Sequence, residues 1–93
     1  MRLSSDDAKG IKTVILNADP RAKVYLFGSR TDDAKKGGDI DLLVLSTSIT
    51  IEDEIKIKLA LYDILDEQKI DLIVAKDTKR PFVSVALKEG IEL

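Results

Sequence analysis

The chain has 93 residues, 44% of them hydrophobic and 34% charged, with a net charge of −2. That describes one domain, residues 1–93, with one core, and excludes a disordered chain. The absence of cysteine excludes disulfides, thiolate catalysis and the usual zinc sites. Scattered Lys and Arg, with only 4% aromatic residues, offer neither a basic face nor a stacking platform. Nucleic-acid binding by this chain alone is therefore not expected. The start, Met1 to Asp7, has no signal-peptide character, and no apolar run is long enough to cross a membrane. The expectation is a soluble cytoplasmic protein.

In chain order, Ser4 with Asp7 matches a capping box and predicts a helix start. Ala8, Ile11, Ile15 and Ala18 then recur at helical spacing, and Pro20 ends the element. Lys23–Phe27 reads as a short strand. The segment from Gly28 to Gly38 is a polar loop holding three of the five glycines. Ile40–Leu45 is an apolar run of strand length. Thr50 with Asp53 opens a second helix, expected to reach about Glu67. Its apolar residues are Ile51, Ile55, Ile57, Leu59, Leu61, Ile64 and Leu65. Ile70–Ala75 reads as a third strand. Pro81 suits the first turn of a last helix, and Gly90 suits its end. Ile91-Glu92-Leu93 is a short tail compatible with extended backbone.

The expected fold class is α/β (α+β): a three-stranded mixed sheet flanked by helices, in the order α-β-β-α-β-α. The first two strands, joined by a loop without a helix, are expected to be antiparallel neighbours. The second and third, joined by a full helix, are expected to be parallel with a right-handed crossover. This brings the end of strand one, at Gly28-Ser29, to the same sheet edge as Asp39, Asp41 and Asp71, which start strands two and three. Period-two alternation turns Asp39 and Asp41 to one face, which becomes apolar again at Leu43 and Leu45.

Each part alone is commonplace. Asp-x-Asp at a strand start is usually a pair of solvated acids, Gly-Ser is usually a turn, and Asp71 is an ordinary strand opener. Their convergence on one edge is not commonplace. Clustered carboxylates repel unless a cation lies between them, and all-oxygen ligands select a hard ion, Mg²⁺ or Mn²⁺. The Gly-Ser turn adds close backbone approach and N–H groups that suit an anion. Metal and nest together fit a nucleoside triphosphate.

The stretches Leu26-Phe27-Gly28-Ser29-Arg30 and Gly38-Asp39-Ile40-Asp41-Leu42-Leu43-Val44 resemble the DNA-polymerase-β-like nucleotidyltransferases. The closest resemblance is to their minimal, single-domain bacterial and archaeal (MNT) members. In that pattern Asp71, within Ile70-Asp71-Leu72-Ile73-Val74, stands for the third acid. The chain departs from it in a spacer of nine residues between Ser29 and Asp39, one short of the common form, and in Gly38 where a Ser often stands.

The resemblance implies a nucleotidyltransferase fold and transfer of a nucleoside monophosphate, AMP from ATP, to a hydroxyl. It implies catalytic and metal-holding roles for Asp39, Asp41 and Asp71 with two Mg²⁺ ions, and nucleotide-phosphate contacts for Gly28, Ser29 and Arg30. In similar minimal proteins the acceptor is a Tyr of a HEPN-domain toxin. The resemblance thus implies an antitoxin that acts as a protein adenylyltransferase within a hetero-oligomer. Two other readings stand beside it: a non-catalytic subunit that neutralises its partner by contact, and a small-molecule nucleotidyltransferase.

Overall fold

The computed structural model describes residues 4–27, 39–65 and 69–93, and of Asp39 the backbone alone. Its elements are α1 (Ser5–Ala18), β1 (Lys23–Phe27), β2 (Asp39–Leu45), α2 (Ile51–Ile64), β3 (Lys69–Ala75), α3 (Pro81–Glu89) and β4 (Ile91–Glu92). None of these helices is long and apolar enough to cross a membrane.

Local chemistry explains where the elements begin and end. The Ser4 hydroxyl accepts a hydrogen bond from the Asp7 N–H at 3.0 Å, satisfying one of the orphan donors of α1. At α2 the box is reciprocal. The Asp53 N–H donates to Thr50 Oγ1 and the Thr50 N–H to Asp53 Oδ2, each at 3.1 Å. The Thr50 N–H first, then the Thr50 hydroxyl, hold the Asp53 carboxyl below its ordinary 3.8. Pro81 opens α3, where its missing N–H costs nothing.

The sheet order is β3-β2-β1-β4. β1 runs antiparallel to β2 and to β4, and β2 runs parallel to β3. One face carries Val24, Leu26, Ile40, Leu42, Val44 and Ile70, packed beneath α1 and α2 through Ile11, Ile15, Ile57 and Leu61. The opposite face carries Leu43 and Ala75, packed with Val83 and Ala86 of α3. β2 is thus buried on both sides, which explains the unbroken apolar run from Leu42 to Val44.

Two expectations need correction. The sheet has four strands rather than three, because Ile91 and Glu92 pair with Leu26 and Tyr25 and the Leu93 N–H donates to the Val24 carbonyl at 2.9 Å. The element order therefore gains a final strand. Helix α2 ends at Ile64, not near Glu67. Buried Leu65 caps it, its N–H donating to the Leu61 carbonyl with ψ at 71°, so the chain turns where the core takes its last apolar side chain. The apolar stripe of α2 is also split. Ile57, Leu61 and Leu65 are buried, whereas Ile51, Ile55, Leu59 and Ile64 are exposed.

Gly90 does end α3, but not through left-handed backbone. Its φ is −80° and ψ 171°. A Cβ there would sit 2.5 Å from the Ala86 carbonyl oxygen and 3.0 Å from that of Leu26. Only glycine lets the chain pass between helix end and β1 to become β4. Gly90→Ala is expected to cost about 1–3 kcal/mol through that overlap, measured by urea denaturation, with loss of protection at the Leu93 amide.

A polar knot closes the end of the sheet where β2 and β3 finish. Buried Asp19, just past α1, accepts from the Arg21 N–H at 2.9 Å and from the Ser46 hydroxyl at 2.5 Å. Ser46 Oγ in turn accepts from the Ser48 and Ile49 N–H groups, and the Ser46 N–H donates to the Ala75 carbonyl. The Ser46 hydroxyl, then the Arg21 N–H, hold the Asp19 carboxyl below its ordinary 3.8 against the opposing effect of burial. A depressed carboxyl contributes stability that is present above the unfolded value and lost as pH falls through the folded one. Asp19→Asn is therefore expected to lower the urea midpoint near neutral pH. The gap to wild type should narrow as pH falls below the ordinary 3.8 and through the depressed folded value.

Candidate functional site

The end of the sheet away from the Asp19–Ser46 knot gathers the carboxylates. β1 finishes there at Phe27, β2 starts at Asp39, and β3 starts at Lys69. The pairings form rows across three strands. Phe27 pairs with Asp41 and Asp41 with Asp71, while Asp39 pairs with Lys69 two rows further out.

Alternation fixes the face. Leu43 and Ile73, two residues beyond Asp41 and Asp71, belong to the cluster under α3, and Ile40, Leu42 and Ile70 belong to the cluster under α1 and α2. Asp41 and Asp71 therefore share the α3 face, side by side on neighbouring strands about 4.8 Å apart. Both are half-buried, at the boundary where the apolar face gives way to the rim.

Of the acids expected to converge, the structure brings together Asp41 and Asp71 and places the Asp39 backbone two residues before Asp41 in the same strand. The Asp39 side chain, and Gly28, Ser29 and Arg30, lie outside the described residues. Among the described residues no group of three or more His, Cys, Asp or Glu side chains stands together to hold a metal. Two half-buried carboxylates in register offer only oxygen donors, the type that a hard divalent cation takes.

Two residues beside the acids escaped the reading of the sequence. Phe27 extends the row of Asp41 and Asp71. Its ring meets that of Phe82 edge to face, with centroids 5.6 Å apart and planes at 77°. Such a pair contributes about 0.5–1.5 kcal/mol beyond its buried area. Phe82, 47% exposed, leaves an aromatic surface at the rim on the acids' side of the sheet. The only sequence signal for it was an apolar residue directly after the helix-opening Pro81, on a helix with few aromatic alternatives.

The arrangement sets two carboxylates at one end of a sheet, with an apolar wall alongside. The family model described as Polymerase beta, Nucleotidyltransferase matches residues 9–93. No curated protein matches the chain. The family match spans all four strands, α2, α3 and all but the first turn of α1, and it contains the row of Asp41 and Asp71: the chain belongs to the polymerase β nucleotidyltransferase family.

Proposed function

We propose that the protein transfers AMP from ATP to a hydroxyl on a protein partner, a Tyr of a HEPN-domain toxin, and so acts as an antitoxin. Nucleotidyl transfer follows from the family; ATP, Mg²⁺ and this acceptor are our reading. The observation that carries the chemistry is the register Asp41↔Asp71, which sets two carboxylates side by side at the sheet end in a chain of that family.

Asp39, Asp41 and Asp71 would hold Mg²⁺, and Gly28-Ser29 with Arg30 would take the triphosphate. Bound Mg²⁺ would supply charge neutralisation of the triphosphate. The acceptor oxygen forms a bond to the α-phosphorus as the bond to the β-phosphate bridging oxygen breaks, and pyrophosphate leaves. The acceptor proton passes to a carboxylate, a role we assign to Asp71. The exposed ring of Phe82 offers a stacking surface for the base.

Incubation with Mg²⁺, α-labelled ATP and the co-encoded neighbour is expected to label the neighbour. Asp41→Asn is expected to lower the rate by at least about 10²-fold, and Asp71→Asn by about 10²–10⁴-fold. No label from any nucleotide, despite a stable complex, would leave a subunit that neutralises by contact. Independently of activity, Mg²⁺ is expected to raise the melting temperature of the wild type and not of Asp41→Asn or Asp71→Asn.

Phe82→Ala is expected to raise KM for ATP about tenfold with little change in kcat, as loss of one base-stacking contact requires. An equal fall in kcat at constant KM would assign the ring a different role.

A further inference from the structure

Among the described residues, β3 is an edge strand of seven residues. Between Asp71 and Lys76 it carries no charge, proline or glycine, the devices by which proteins blunt an open edge. The Ile70 N–H donates to Tyr62 Oη at 3.3 Å, whereas the Ala75 carbonyl accepts from Ser46 at the end of β2. Even-numbered backbone groups of β3 therefore face outward, and Leu72 and Val74 offer theirs to a further strand.

Beside this edge runs the exposed stripe of α2. Ile51 is 76% exposed, Ile55 58%, Leu59 64% and Tyr62 40%. At 100° per residue the four fall on one side of the helix. Tyr62 at one end touches Ile70, and Ile51 with Glu54 at the other shares a groove with Val74 and Lys76. Edge and stripe are one continuous surface.

We propose that this surface joins two copies of the chain, β3 against β3 and α2 against α2, about a two-fold axis that passes Ile73. Two independent registers meet at that axis. In the strands, antiparallel pairing centred on Ile73 sets Leu72 against the partner's Val74, so that the outward groups of both are satisfied. In the helices, antiparallel packing sets Ile55 against the partner's Leu59 and Ile51 against the partner's Tyr62, pairings centred at or just before residue 57. With a rise of about 1.5 Å per residue in a helix and about 3.3 Å in a strand, the Tyr62–Ile70 hydrogen bond and the groove shared by Glu54 and Val74 place that same helical turn over Ile73.

Charge agrees with the same centre. Glu54 and Lys58 flank the stripe on one side, and the two-fold sets each Glu54 beside the partner's Lys58. The acids stay clear of one another, since Asp71 falls opposite the partner's Ala75 on the other face of the sheet. The inference does not depend on the proposed activity.

The test is sedimentation equilibrium of the full chain at about 100 μM, a concentration fixed across variants because association is concentration-dependent. The wild type is expected at twice the 10.3 kDa chain mass. Ile55→Lys/Leu59→Lys, at exposed positions, is expected to give a monomer with unchanged circular dichroism. Glu54→Lys and Lys58→Glu are each expected to weaken the dimer at least tenfold, and their equimolar mixture to recover it as a heterodimer, because each mixed contact pairs opposite charges again. A wild type that is monomeric at this concentration overturns the proposal. So does a dimer indifferent to Ile55→Lys/Leu59→Lys, or a monomer whose stripe instead takes a helical partner of another sequence.

Discussion

The in-register parallel pairing of β2 with β3 is the constraint on which the molecule depends. It matches Ile40 with Ile70, Asp41 with Asp71 and Leu42 with Leu72, so that apolar residues meet apolar residues under α1 and α2 while the two acids meet on the opposite face. A slip of one residue would turn Asp71 into the core and Ile70 out of it. Burying an unpaired carboxylate there costs far more than any single contact returns. The same hydrophobic pattern that secures the fold thus fixes the relative position of the carboxylates, and no separate device is needed to align them.

Much of this was legible in the sequence because the signals were local. β1 and β3 are apolar runs between polar breaks, and both helix starts carry side-chain caps whose partners lie three residues away. Asp41 and Asp71 could be set on one edge because the connection lengths dictate an antiparallel hairpin-like pair followed by a parallel crossover. What the sequence hid depends on distant parts of the chain. β4 has two residues and no strand signal of its own, and its pairing with Leu26 and Tyr25 exists only because Gly90 lets the chain through. The end of α2 lacks a Gly or Pro marker. Its apolar residues look alike in sequence, and only the position of α1 and of the sheet decides that Ile57 and Leu61 are core while Ile55 and Leu59 are surface. Phe82 joins the rim through the docking of α3, which no local pattern announces.

The two ends of the sheet divide the work. At one, Asp19 and Ser46 tie the exit of α1, the ends of β2 and β3 and the approach to α2 through five hydrogen bonds. At the other, Asp41 and Asp71 are set side by side on the α3 face, half-buried at the rim. The hydrogen bonds that tie helices and strands together thus gather at the end opposite the paired acids.

The pairing of β4 with β1 also has a consequence for how the protein is made. Residues 91 and 92 are separated from their partners at 25 and 26 by most of the chain. A chain synthesised from its N-terminus keeps one edge of β1 open until the last strand leaves the ribosome, even after β2 and β3 have paired. Contacts this distant in sequence form late and slowly. The nascent domain therefore carries an exposed strand edge until residues 91 and 92 have emerged, and closure of the sheet is the last step in its assembly.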